Sequence, residues 1–230
     1  MENILKDNSE FKINYRNKTD GILLMKDIKD ESLKVAFFDP QYRGVLDYMN
    51  YGTTNRQLDR ESLTQMPEET IIGFFNELNR IIKPSGYLFL WLDKFHLTNG
   101  DYHNWYKDTD FHCVDMVTWN KGKIGMGYRM RCKSEFCYVL QKKPTRVKGT
   151  WSLHNIPDVW EEKVVKNHPH SKPIELQKVL IESTTEPNDF VLDPASGGYS
   201  VFRACKETNR NFIGGDIEFG ELEFNFGEKK

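Results

Sequence analysis

An α/β fold is predicted, a mostly parallel sheet with helices on both faces. Three observations carry it. Val35–Phe38 and Tyr87–Leu92 are short, uninterrupted apolar runs, the pattern of strands buried on both faces. Between them Ile71, Phe74, Phe75, Leu78, Ile81 and Ile82 recur at helical spacing. Far downstream a helical pattern from Ile174 to about Ser183 precedes another apolar run, Phe190–Asp193, and both it and Val35–Phe38 stop at Asp-Pro. Proline fixes φ and stops a ladder, so Asp39 and Asp193 are delivered to the carboxyl ends of strands, where open α/β sheets bind ligands.

In chain order, Phe11–Tyr15 alternates weakly and reads as an edge strand. Asp20 suits the N-cap of a short helix over Ile22–Met25. Arg43–Met66, rich in Gly, Asn, Arg and Tyr, has no sustained apolar period and reads as a long functional loop. Pro67, Glu68 and Glu69 open the next helix, because proline is tolerated there and acids suit its positive end. Lys83–Gly86 ends it, and Tyr87–Leu92 is a central strand with Asp93 at its ligand edge. His103–Lys107 reads as a short helix, His112–Trp119 as a strand, Lys121–Lys133 as a basic Gly-containing loop, and Glu135–Leu140 as the returning strand. Ser200–Glu207 is a helix with Val201, Phe202 and Cys205 inward, and Asn211–Gly215 is a strand ending at Asp216. Glu218–Lys230 is a polar tail.

A chain of 230 residues suits one large domain. The mean hydropathy of -0.65 and the absence of a long apolar run argue against a membrane span, and Met1–Glu10 is too polar for a signal peptide, so a cytoplasmic location is expected. Cys113, Cys132, Cys137 and Cys205 have no Cys-x-x-Cys spacing and read as buried thiols. His168 and His170 lack further ligands at a suitable spacing, so no metal is expected. Net charge is only -2, yet Lys121, Lys123, Arg129, Arg131, Lys133, Lys142, Lys143, Arg146 and Lys148 fall in one stretch with Glu135 as its sole acid. Trp119, Tyr128, Tyr138 and Trp151 are interleaved there, a mixture suited to nucleic acid.

Asp39-Pro40-Gln41-Tyr42 resembles motif IV of the amino-methyltransferases, Asp-Pro-Pro-Tyr, and Phe190–Gly198 resembles their cofactor-binding motif I. Trp119-Asn120-Lys121, Arg131 and Glu135 resemble motif VIII, and His168-Pro169-His170-Ser171-Lys172-Pro173 resembles motif X. With the catalytic motif first and the cofactor motif last, the chain resembles the β class of DNA amino-methyltransferases. The resemblance implies a circularly permuted Rossmann-like sheet in one domain: a catalytic half at about 10–140, a basic connector at 141–167, and a cofactor half at 168–217. It leaves no room for a large target-recognition domain.

The resemblance further implies methyl transfer from S-adenosyl-L-methionine to the amino group of a flipped-out base in double-stranded DNA. Asp39 and the Pro40 carbonyl would accept the two amino hydrogens, and Tyr42 would stack on the base. Asp20, Lys172, Asp193, Ala195, Gly197, Gly198, Ser200 and Asp216 would line the cofactor site, with Asp216 on the ribose at the usual interval for such an acid. Gln41, Arg43, Lys121, Lys123, Arg129, Arg131 and Lys133 would meet DNA. An aspartate opening motif IV favours adenine N6. Cytosine N4, RNA or protein-amide methylation, a catalytically silent DNA-binding regulator and a nicotinamide enzyme are the alternatives, the last weakened by the lack of Gly-x-Gly-x-x-Gly. A homodimer and a cognate restriction enzyme are partners that the resemblance leaves open. Three departures stand out: Gln41 for the second proline, Ala195 for the usual phenylalanine, and Tyr199 where a second glycine is expected.

Overall fold

The computed structural model describes residues 4–41, 66–125, 129–163 and 172–220. Eight strands form one sheet: β1 (Asn17–Lys18), β2 (Leu33–Phe38), β3 (Ile82–Leu92), β4 (Phe111–Asn120), β5 (Ser134–Lys142), β6 (Val159–Glu161), β7 (Phe190–Asp193) and β8 (Asn211–Asp216). Their order is β1-β8-β7-β2-β3-β5-β4-β6. Pairing is parallel from β1 through β3, antiparallel at β3–β5 and β5–β4, and parallel again at β4–β6. β7, from late in the chain, thus lies beside β2, from its start, which is the permuted order.

Strand alternation sorts the core into two layers. Ala36, Phe38, Leu88, Leu90 and Leu92 face α1 (Gly21–Lys26) and α2 (Glu68–Ile81), together with Tyr102, Trp105 and Tyr106 near α4 (His103–Tyr106). Val35, Phe37, Tyr87, Phe89 and Trp91 face α5 (Ile174–Thr184) and α6 (Ser200–Glu207) on the other side. Helices therefore cover both faces. The α2 C-terminus receives Lys142, whose Nζ donates to the carbonyls of Asn79 and Ile82 at 2.7 and 2.9 Å. A cation there suits the negative end of the helix.

Several expectations require correction. Phe11–Tyr15 forms no strand, because the Asn17 side chain takes both backbone groups of Lys12, at 2.9 and 3.0 Å, in place of a ladder. Lys83–Gly86 is looped out within β3, between the Leu33–Ile82 and Val35–Tyr87 pairs. Asp93 caps a helix absent from the sequence reading, α3 (Lys94–Asn99), accepting from the N–H groups of Phe95 and His96 at 2.9 Å. Of the cysteines only Cys137 and Cys205 are buried; Cys113 is exposed. No described helix is long and apolar enough to cross a membrane.

Candidate active site

Val35 lies opposite Val191 and Ala36 opposite Leu192, so β2 and β7 run side by side. From there the chain departs in opposite directions across the sheet, β2 towards β3 and β7 towards β8. Such a switch point opens a crevice beyond the strands' carboxyl ends. A solvent-open cleft of about 130 Å³ lies there. Asp39 and Gln41 enter it from β2, Asp193 and Ala195–Gly198 from β7, Ser200 and Val201 from α6, and Asp216–Phe219 from β8. Lys172 and Gln177 close the α5 side. Pro40, between Asp39 and Gln41, is buried and is not among the residues lining the cleft. The Gln41 carbonyl accepts the Met66 N–H at 2.7 Å, and both residues line the cleft.

The turn after β7 is built by short bonds. Ser196 Oγ donates to the Asp193 carbonyl at 2.7 Å, and the Ser196 N–H to the Gly215 carbonyl at 3.0 Å. Gly197 has φ 46°, and a Cβ there would meet no atom within 4 Å, which leaves its backbone open to a ligand. Its N–H donates to Asp216 Oδ2 at 2.9 Å, while Asp216 Oδ1 accepts from Glu218 and Phe219 at 2.9 and 3.0 Å. Asp216 thus joins the turn to the segment after β8, and Oδ2 keeps a lone pair for a ligand hydroxyl. Ile217 and Phe219 give that segment apolar side chains at the cleft.

Tyr199 explains how the departure from glycine is tolerated. Its backbone adopts the left-handed conformation that glycine favours, φ 56° and ψ 35°. The ring turns away from the cleft into the core, 2 % exposed, edge-on to Phe212 and beneath the Arg16 guanidinium.

Charge in the cleft is unbalanced. Among the described residues, Asp39, Asp193, Asp216 and Glu218 line it against one cation, Lys172. Burial holds the Asp193 carboxyl well above the usual range, and the negative charges of Asp39 and Asp216 add to this. Burial also raises Asp39, opposed by Lys172 at 2.9 Å. Two further buried atoms at the cleft, Trp91 Nε1 and Gln177 Oε1, have no hydrogen-bond partner among the described residues. A fitting ligand would bring positive charge to the carboxylates, donors to Gln177 and hydroxyls to Asp216.

A family model described as DNA methylase (N6_N4_Mtase) matches residues 33–224. The chain belongs to the DNA methylase family. It is 57% identical over 215 residues to the type II methyltransferase M.HhaII of Haemophilus parahaemolyticus, covering 92% of this chain and 94% of that protein. The type II methyltransferase M2.MboI of Moraxella bovis is 25% identical, covering 94% and 87%. Among solved structures, an M1.HpyAVI–SAM complex aligns with TM-score 0.62 at 20% identity, covering 89% of this chain and 94% of that one. The cytosine-N4-specific PvuII DNA methyltransferase aligns with TM-score 0.68 at 14% identity, covering 92% and 86%.

Of the residues expected at the site, Asp39, Gln41, Lys172, Asp193, Ala195, Gly197, Gly198, Ser200 and Asp216 line one cleft. Asp20 does not line it. Its Oδ1 caps α1, accepting from Ile22 and Leu23 at 2.7 and 3.2 Å. Tyr42, Arg43, His168 and His170 lie outside the described residues. Lys123, Arg129, Arg131 and Lys133 are exposed on the basic loop. Lys121 instead pairs with Glu135, and Lys142 is only 6% exposed. The interleaved aromatics are not displayed as expected, because Trp119 is buried, its indole N–H donating to the Glu162 carbonyl at 2.8 Å, and Trp151 packs on Tyr87 and Phe89. Trp91, Gln177, Ile217 and Phe219 were absent from the sequence reading of the site. An indole next to the end of an apolar strand and an amide among the leucines and isoleucine of a buried helix face were the available signals.

Proposed function

We propose that this family member methylates the N6 amino group of adenine in double-stranded DNA, using S-adenosyl-L-methionine, within a single catalytic domain. The observation that carries the reading is the meeting of Asp39 with the Asp193–Gly198 turn and Asp216 in one cleft. The cofactor fits that cleft chemically. Its sulfonium and ammonium offset the clustered carboxylates, its ribose suits Asp216, and its amino hydrogens suit Gln177 Oε1, while Ile217 and Phe219 offer apolar surface for its adenine. When bound, S-adenosylmethionine would supply an electrophilic methyl, its bond to sulfur breaking with the electron pair kept by sulfur as the N–C bond forms, and the amino nitrogen would then release one of its protons to water.

The chain's own contribution is to prepare the nucleophile. An exocyclic amino group shares its lone pair with the ring. In this reading Asp39 and the Pro40 carbonyl accept its two hydrogens, so that the lone pair localises and points at the methyl, and positioning supplies most of the acceleration. The base must be flipped from the duplex for this, and Tyr42 would stack on it. Lys123, Arg129, Arg131 and Lys133, on the loop joining β4 to β5, supply sequence-independent phosphate contacts.

The test is methyl transfer from labelled S-adenosylmethionine to unmethylated DNA, followed by nucleoside mass spectrometry. N6-methyladenine from the wild type and at least ~10²-fold less from Asp39→Ala is the expected outcome. N4-methylcytosine would replace the base assignment, and the alignment with the N4-specific PvuII enzyme is the observation on that side. Cofactor and DNA binding with no product would instead identify a silent regulator.

A further inference from the structure

Lys172 lines the cleft, but its ammonium is engaged by the protein's own carboxylates. Its ammonium contacts Asp39 Oδ2 at 2.9 Å and Glu135 Oε2 at 2.8 Å, and stands 4.9 Å from the centre of the Trp91 ring. Two of its three hydrogens therefore go to carboxylates, and the aromatic face covers part of the remainder. Its side chain is 14 % exposed. Glu135 is held in turn by Lys121, which lies over Trp119, and the two indoles meet edge to face. Charges alternate along this row, Lys121, Glu135, Lys172, Asp39, and only the last two open on the cleft. The backbone behind Lys172 is fixed as well. α5 starts two residues later, and its first N–H groups, of Glu175 and Leu176, donate to the Glu162 carboxylate at 3.1 Å.

We propose that Lys172 is a positioning residue of the methyl-transfer step, anchored by Glu135 so that it holds Asp39 as an oriented anionic acceptor for the target amino group. This rests on the reading of Asp39 given above. The base needs an acceptor, because a protonated Asp39 would present a donor to hydrogens that themselves donate. Burial and the Glu135 carboxylate both favour the protonated form of Asp39, and Lys172 is the group opposing them most directly, with Lys121 adding to it. The groups facing Asp39 are Lys172 from the segment before α5, Glu135 and the buried Cys137 from β5, Lys121 from the end of β4, and Asp193 from β7. Glu135, between two lysines, is held down at about 2 despite its burial and stays anionic across the working range.

Lys172→Met keeps length and apolar bulk while removing the charge; Lys172→Arg keeps the charge. Single-turnover methyl transfer is measured against pH at saturating cofactor, with cofactor affinity measured separately by calorimetry. Lys172→Met is expected to lower the rate ~10²-fold and move the acid limb up by about one pH unit or more, with cofactor affinity within about threefold. Lys172→Arg is expected to restore most of the rate and the original limb. An unshifted limb, or a loss confined to cofactor affinity, overturns the proposal. Thermal unfolding of the cofactor-free proteins gives a readout independent of activity. The deficit of Lys172→Met must widen from pH 5 to pH 8, as Asp39 and Glu135 ionise without their cation, and Glu135→Gln in the same background must narrow it. A deficit independent of pH overturns the clamp. Variants that melt with this pattern, alongside a wild type that transfers no methyl, would overturn the reading of the reaction and leave the clamp standing.

Discussion

Tyr199 should invert the usual order of alanine and glycine. Its backbone sits at φ 56°, where a side chain is strained by about 1–2 kcal/mol, and that strain is carried by every residue except glycine. The ring offsets it: Tyr199 is 2 % exposed, 6.2 Å from Phe212 between ring centres and 5.5 Å beneath Arg16, and its hydroxyl reaches the Asn17 carbonyl at 3.3 Å. Truncating a buried aromatic costs about 3–5 kcal/mol, and Tyr199→Ala loses this while keeping the strain. Tyr199→Gly loses the same packing but releases the strain, less roughly 0.5–1 kcal/mol for glycine's greater freedom when unfolded. The glycine variant should therefore be more stable than the alanine variant by roughly 0.5–1 kcal/mol, or about 1–4 °C in Tm for a chain of this size. Both should melt well below the wild type, and Tyr199→Phe within about 1 kcal/mol of it. Thermal and urea unfolding of the set measures this, with Lys206→Ala and Lys206→Gly on the exposed side of α6 as the control of ordinary order. Should Tyr199→Ala equal or exceed Tyr199→Gly, the strain argument is wrong.

Two more perturbations probe the same cleft from its charge and from its floor. The folded chain binds the Asp193 proton more tightly than the unfolded chain does, so the penalty of ionising it sets in as pH rises above the ordinary carboxylate range and is complete above the raised value. Asp193→Asn should thus raise the Tm of the cofactor-free protein by a few degrees at pH 8, with the gain shrinking on acidification, while weakening cofactor binding at least ~10-fold; a gain that grows towards acid would refute the sign. A Cβ at Gly21 would lie 2.1 Å from the Pro194 carbonyl and 2.7 Å from the Phe74 ring, so Gly21→Ala should destabilise by about 2–3 kcal/mol and loosen cofactor binding through the displaced turn. Calorimetry showing unchanged stability and affinity would remove α1 from the support of the site.

The legible parts of the fold are those whose burial is one-dimensional. β2, β7 and the Tyr87–Leu92 part of β3 are continuous apolar runs, and α2 repeats its apolar face over fourteen residues. α3 was missed because six largely polar residues carry no such period. Its real signal was the pair of ends, Asp93 as N-cap and Gly100 at φ 73°. β6 is three residues long and half exposed, held by contacts such as the Thr118 N–H to the Asp158 carbonyl at 2.7 Å, which no local pattern announces. At the site, motif chemistry placed Asp39, Asp193 and Asp216 correctly on one cleft. It also put Lys172 on that cleft but could not give its partners, because which carboxylate an ammonium meets depends on β2, β5 and the start of α5 converging, and residue spacing does not encode that.

The same reasoning explains why chain order can be permuted without dispersing the chemistry. A ligand crevice needs two adjacent parallel strands whose connections diverge, and adjacency is set by hydrogen bonding between strands, not by their sequence separation. Asp39 and Asp193 are 154 positions apart, yet Val35–Val191 and Ala36–Leu192 bring their strands together. Only those two register pairs join β2 to β7. The rest of the seam is side-chain packing, with Val35, Phe37 and Val191 beneath Leu176, Leu180 and Val201 of α5 and α6. The helix pair therefore couples cleft formation to burial: α5 covers the β2–β7 seam and begins two residues after Lys172, while α6 starts from the turn that carries Gly197. A cavity under α5, from Leu180→Ala for example, would weaken the packing that brings the strands carrying Asp39 and Asp193 into one cleft.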